Sequence, residues 1–205
     1  MKKILLFAAL MIGANNVSAQ ALSQGTILVD AYYGFPNLYK TILSSTYESL
    51  GDNYNVTGYG PVGVRGEYLM SEKVGVGIDF GMNSLGVSYD YTGSTMDTAT
   101  QTYPTYTDEI STTKIGVMVT LNYHIVNTDK VDFYFVAGAG YKNRSWKYES
   151  TDPNYESTTV SGTLIPVAAR IGIGTRFWFT DNIGANVDLG FGHSGLLNAG
   201  LSFKF

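Results

Sequence analysis

The segment Val74-Gly75-Val76-Gly77-Ile78-Asp79-Phe80-Gly81-Met82 decides the fold. Side chains along an extended chain point alternately to its two faces. Val74, Val76, Ile78, Phe80 and Met82 therefore share one face, and Gly75, Gly77, Asp79 and Gly81 share the other. A helix would scatter both sets around its circumference. The period of two predicts a strand with one greasy side and one side that is small or charged.

The same alternation recurs through the chain. In 183–191, Ile183, Ala185, Val187, Leu189 and Phe191 oppose Gly184, Asn186, Asp188 and Gly190. In 114–123, Ile115, Val117, Val119, Leu121 and Tyr123 oppose Lys114, Gly116, Met118, Thr120 and Asn122. Segments 26–34, 61–69, 132–142, 164–178 and 196–205 read alike, and no segment shows a convincing helical period. This predicts eight strands. In none of the eight does the apolar face carry a charge. A soluble sheet normally shows charges on the face that meets water.

Two architectures fit such strands. A soluble barrel or sandwich turns the apolar face inward, whereas a membrane barrel turns it out to lipid and keeps the polar face inside. Three features favour the membrane barrel. The polar face is rich in Gly, which suits a narrow lumen and would only weaken a solvent-facing strand. Aromatics gather near the strand ends, with Tyr33, Phe35, Tyr141 and Phe191 toward one rim and Tyr68, Tyr123, Phe133, Phe177 and Phe203 toward the other. Finally, short links (70–73, 125–131, 179–182) alternate with long ones (36–57, 85–112, 147–160), as periplasmic turns alternate with outer loops, although the last link, His193–Gly195, is short. The expected fold is all-β, an eight-stranded antiparallel up-and-down transmembrane β-barrel.

The first residues read as a leader. Lys2 and Lys3 precede an apolar run from Ile4 to Ala14, and a polar stretch ends in Val17-Ser18-Ala19. These are the three regions of a signal peptide, and the run is short of the ~20 apolar residues that span a bilayer. Expected domains are a signal peptide at 1–19 and a barrel at 20–205. Loss of Lys2 and Lys3 takes the net charge from −4 to −6. The chain has no Cys, which excludes disulfides, thiolate metal sites and lipidated cysteine. The acidic balance speaks against nucleic acid.

The final segment, Leu197-Asn198-Ala199-Gly200-Leu201-Ser202-Phe203-Lys204-Phe205, resembles the C-terminal signal of outer-membrane barrels, with Leu201, Phe203 and Phe205 as its apolar positions. The run RIGIGTRFWFTDNIGANVDLGFG from Arg170 to Gly192 looks like a strand–turn–strand of the outer-membrane protein β-barrel domain family, which includes small eight-stranded barrels similar to outer-membrane proteins X and A. The resemblance implies a place in the bacterial cell outer membrane, among its lipid and lipopolysaccharide. It also implies delivery by the barrel-assembly machinery, a monomeric state and no cofactor.

The candidate lumen charges are Asp30, Arg65, Glu67, Asp79, Lys114, Arg170, Arg176 and Asp188, with Asp132, Lys142 and Lys204 on the same faces. They read as a paired network filling the lumen, or alternatively as an ion or proton path; eight strands leave little room for a pore. His193 and Ser194 are adjacent in a turn, where neighbouring side chains diverge, so a catalytic pair is not expected. The Gly-x-Gly strings open no helix and are not nucleotide loops. In the 85–112 link, Tyr89, Tyr91, Tyr103 and Tyr106 are candidate surface contacts for an unknown ligand. The expected role is a non-enzymatic, structural or adhesion-like surface barrel, with a narrow porin-like channel and a lipid A-modifying enzyme as alternatives.

Overall fold

The computed structural model describes residues 22–35, 37–47 and 53–205. The leader expected at 1–19 lies outside them. The strands are β1 (Ile27–Phe35), β2 (Tyr54–Leu69), β3 (Val74–Thr92), β4 (Thr105–Asn127), β5 (Val131–Ser150), β6 (Thr158–Ser161), β7 (Val167–Trp178), β8 (Ile183–Gly192) and β9 (Leu197–Lys204), with one helix, α1 (Leu38–Tyr47). Every neighbouring pair is antiparallel. The order runs β4-β3-β2-β1-β9-β8-β7-β5, and β4 pairs back onto β5. Eight strands thus close on themselves, leaving no free edge; β6 is a short flap on the upper part of β5. Closure satisfies backbone groups that hydrocarbon cannot.

The faces point as a membrane barrel requires. Ile78, Val119, Leu189 and Leu201 are all half exposed or more, whereas Arg65, Asp79, Arg176 and Asp188 are sealed inside. On β4 the outward apolar positions run from Ile115 to Ile125, eleven residues. A tilted strand crosses a bilayer core in about 9–11 residues. The fold is an eight-stranded transmembrane β-barrel.

Glycines set the inward packing. A Cβ on Gly200 would collide with the Ala31 carbonyl oxygen, and one on Gly140 with that of Val117. The short-turn end of the barrel, where β1 starts and β9 finishes, is closed by an apolar cap of Leu22, Leu28, Leu69 and Trp178. Leu22 is fastened there through its backbone, its N–H donating to Asn127 Oδ1 (3.0 Å) and its carbonyl accepting from Asn127 Nδ2 (2.8 Å).

The expected loops are shorter than their sequence suggests. Most of 85–112 belongs to β3 and β4, so only 93–104 connects them. Half of 147–160 is taken by the end of β5 and by β6, and the 36–57 link contains α1 and the first residues of β2. Leu164 and Ile165, read as strand, precede β7 and are exposed. The cause of the main discrepancy is a change of phase. Below residue 83 of β3 the even positions are apolar and face lipid. Above it the odd positions Leu85, Val87 and Tyr89 are apolar, and Ser84, Gly86, Ser88 and Asp90 face outward. The β3–β4 register runs unbroken from Val74 to Thr92, so the strand does not turn over. Its surroundings change from lipid to water, and the polarity of each face inverts accordingly.

Candidate functional site

Two regions carry the chemistry. One is the lumen, built by the inward positions of all eight barrel strands. Arg176 on β7 is its hub. Its Nε and Nη2 donate to Asp30 (2.8–3.3 Å), Nη2 also to Glu67 Oε2 (2.7 Å), and Nη1 to Asp132 Oδ2 (2.8 Å). The guanidinium lies 4.3 Å from the Tyr134 ring centre. His124 bridges the same carboxylates, with Nδ1 2.6 Å from Asp132 Oδ1 and Nε2 2.8 Å from Glu67 Oε1. Carboxylates only accept, so both ring nitrogens must donate, which an imidazolium does.

A second layer lies above. Arg65 pairs with Asp188 (3.3 Å), Asp79 (3.5 Å) and Asp30 (3.7 Å). Tyr134 donates to Asp188 (2.5 Å) and Tyr32 to Asp79 (2.6 Å). Ser202 donates to Asp30 (2.6 Å). Arg65, Arg176, His124, Asp79 and Asp132 are fully buried. Each buried charge therefore has the partners that make it tolerable.

The remaining expected lumen charges sit nearer the ends. Arg170 donates to the Gly195 carbonyl (3.3 Å), and Lys114 donates to the His193 carbonyl (3.1 Å). Both hold the β8–β9 turn over the barrel mouth. Lys142 is half buried near them, while Lys204 lies over the Trp178 ring at the opposite end. His193 turns its Nε2 to the Gly81 carbonyl (3.2 Å), and Ser194 donates to Asp79 (3.3 Å). Leu201 and Phe203 lie on β9 and Phe205 follows its end, with Leu201 and Phe205 exposed.

The other region stands above the bilayer. Here β2–β5 continue as an open sheet whose axis-facing side carries an apolar band between a cationic rung below and a polar rung above. Its rungs follow from the register: Asn83–Lys114–Arg144, then Leu85–Thr112–Trp146, then Val87–Ile110–Tyr148, then Tyr89–Asp108–Ser150. A bulge between Tyr59 and Val62 inserts one extra residue in β2. It turns Tyr54 and Val56 to the same side as Tyr89 and Val87. Leu43 of α1 faces this sheet, and together they enclose a cavity of about 560 Å³.

Tyr54, Tyr89, Tyr91 and Tyr106 form a chain of ring contacts with centres 5.8, 6.1 and 5.8 Å apart. Tyr89, Tyr91 and Tyr106 are thus strand residues of a fixed sheet, and Tyr103 is the exposed one in the connection. Asp108 accepts from Tyr89 (2.9 Å), Tyr148 (3.0 Å) and Ser150 (2.6 Å). Partial desolvation opposes its ionisation, but these hydroxyls outweigh it and hold its carboxyl below the usual range. The hydrogen bond to Asp108 in turn raises Tyr89. Tyr91, desolvated and donating to Asp152 (3.0 Å), is pushed up to about 12.

Sequence reasoning missed Arg144, Trp146 and the cavity. The signal was available in the phase change at Asn83-Ser84, and in the matching change on β5 from Tyr141 to Trp146.

The molecule is by its geometry a membrane barrel with paired charges across its lumen and a raised sheet at its mouth. Its structure is similar to the N-terminal β-barrel domain of Pseudomonas aeruginosa OprF (14% identity, TM-score 0.46, covering 90% of this chain and 100% of that one). It is also similar to Ail, the attachment invasion locus protein of Yersinia pestis, solved with the heparin analogue sucrose octasulfate (13%, 0.44, 89% and 99%). A third similar structure is the outer-membrane protein OprG of Pseudomonas aeruginosa (9%, 0.45, 89% and 97%). No protein-family model and no curated protein matches the sequence.

Proposed function

We propose that this protein is a non-conducting barrel of the bacterial outer membrane that holds a binding surface above the bilayer, in a structural or adhesion-like role. The carrying observation is the height at which the outward face turns from apolar to polar. Above Met82 and Ile115, strands β3, β4 and β5 continue for about eight to ten residues outside the lipid belt. A sheet this long is not needed to cross a membrane; it presents side chains to the medium. The paired lumen supports the absence of conduction, since two guanidiniums and an imidazolium fill the cross-section with their carboxylates. The separate partners of His193 and Ser194 support a non-enzymatic role, because a nucleophile needs its base within reach.

The test is deletion of residues 93–104, which joins β3 to β4 by a tight turn. Cells displaying the intact protein should bind host matrix or host cells, and the deletion should lose that binding while keeping the gel shift on boiling. Equal binding by both proteins would refute the surface-contact role. Stable single-channel steps in planar bilayers would refute the plugged lumen.

A further inference from the structure

We infer that the cavity at the barrel mouth is a binding site for a single-chain amphiphile with an anionic head. The inference is independent of the contact role of the 93–104 tip. Its first support is shape and polarity. Leu43, Leu85, Val87 and Ile110 supply an apolar wall, with Tyr54 and Trp146 at its sides. From the Asn83 rung to the Tyr89 rung is six residues, about 20 Å along the strand at ~3.3 Å per residue. The volume, about 560 Å³, falls in the range of cavities that take small organic ligands, roughly 300–1,000 Å³.

The second support is charge. The lowest rung places Lys114 opposite Arg144, and the next inward position of β5 is Lys142. Lys114 feels the positive field of both. Deeper in the lumen, Arg65 and Arg176 face carboxylates, while Arg170, nearer the mouth, is held by the Gly195 carbonyl. Here, among the described residues, no acidic side chain forms an ion pair with any of the three. One ammonium hydrogen of Lys114 goes to the His193 carbonyl, and the Arg144 guanidinium lies 5.5 Å from the Trp146 ring centre. Three clustered cations beside an apolar wall repel one another unless an anion joins them. A carboxylate or sulfate head between Lys114 and Arg144 would neutralise them, while an alkyl chain ran up the wall past Leu85 and Val87. A purely polar anion would leave the wall in water, and an uncharged lipid would leave the cations unpaired.

The test uses the full protein in zwitterionic nanodiscs and a bromine-terminated dodecanoate, which quenches tryptophan on contact. Trp146 lines the cavity, whereas Trp178 is sealed in the apolar cap at the opposite end. Quenching should saturate. The K114Q/R144Q double variant should weaken binding at least tenfold, as should I110E, which puts a like charge on the wall. K147Q, on the outer face, should leave binding unchanged. The corresponding bromododecanol should bind at least tenfold more weakly, and inorganic phosphate should not compete. Each variant is first checked for its heat-dependent gel shift. Quenching that rises only in proportion to probe in the bilayer, or that is equal in wild type and in both cavity variants, overturns the site. Full competition by phosphate overturns the role of the chain and leaves a simple anion site.

Discussion

Arg176→Met removes the hub of the lumen network and keeps most of its volume. Five carboxylates, those of Asp30, Glu67, Asp79, Asp132 and Asp188, face the guanidiniums of Arg65 and Arg176 and the His124 ring. The variant leaves the same five against two cations. Asp132 and Glu67 keep His124, and Asp30 keeps the Ser202 hydroxyl and a distant Arg65 at 3.7 Å. No carboxylate is abandoned completely, yet each loses a contact of 2.7–3.0 Å in a site closed to water. Breaking a buried ion pair from one side costs about 3–5 kcal/mol. That range is expected here, since the loss of three partners is offset by those that remain. The assay is urea unfolding in lipid vesicles, with the folded fraction read from the gel shift and from tryptophan emission. The midpoint should fall at unchanged slope, because the surface exposed on unfolding is the same. K147M supplies the scale: its pair with Glu149 (2.7 Å) is half exposed, and such pairs contribute about 0–1 kcal/mol. An R176M protein within about 0.5 kcal/mol of wild type, the span of an ordinary surface change, would refute the hub.

Three further outcomes are expected. Val119→Arg, in mid-belt, should cost about 2–4 kcal/mol in vesicles, whereas Ser111→Arg on the same strand face above the belt should cost about 0–1; equal costs would misplace the membrane. Gly200→Ala should destabilise the barrel by at least the ~1–3 kcal/mol of overpacking, because the new methyl meets the Ala31 carbonyl across the β1–β9 seam; an unchanged unfolding midpoint would contradict that contact. The hairpin tip should have a pH window. The depressed Asp108 contributes above its unfolded value of 3.8 and loses that contribution as pH falls through its lower folded value. The raised tyrosines contribute below 10.0 and lose it as pH rises through their folded values, about 12 for Tyr91. Tyrosinate absorbance should therefore show Tyr89 returning toward 10.0 in D108N; an identical titration would remove Asp108 as the cause.

The barrel was legible because lipid imposes a strict rule on every outward position from Ile115 to Ile125, and a two-residue period is hard to mistake. The inward charges were legible for the same reason: Asp30, Arg65 and Asp188 occupy the opposite parity. The upper sheet was not, since apolar positions there exchange parity with polar ones and an unbroken strand reads as the end of a strand. In β2 the parity of Tyr54 and Val56 matches that of Val64 and Tyr68, and only the bulge at 60–61 reverses their direction, which composition cannot reveal. Helix α1 was missed because one ten-residue segment, with Thr and Ser at four positions, has little apolar periodicity to show. Arg144 and Trp146 look like ordinary loop residues until β5 is seen to continue past them. The partners within the network, such as His124 between Glu67 and Asp132, depend on three strands meeting and have no local signature.

The seam between β1 and β9 has a kinetic meaning. Leu28 and Lys204 are partners across 176 positions of sequence, the difference of their numbers, whereas the other barrel pairings join consecutive strands of the barrel. Drawing such distant ends together costs roughly 4–5 kcal/mol of chain entropy by the logarithmic loop law. The hairpins can form early, each with its own turn, but the ring is sealed last, and until then two unpaired edges are open to hydrocarbon or to another chain. The rate at which this protein becomes resistant to unfolding should therefore be that of a single zipping event between its first and last strands.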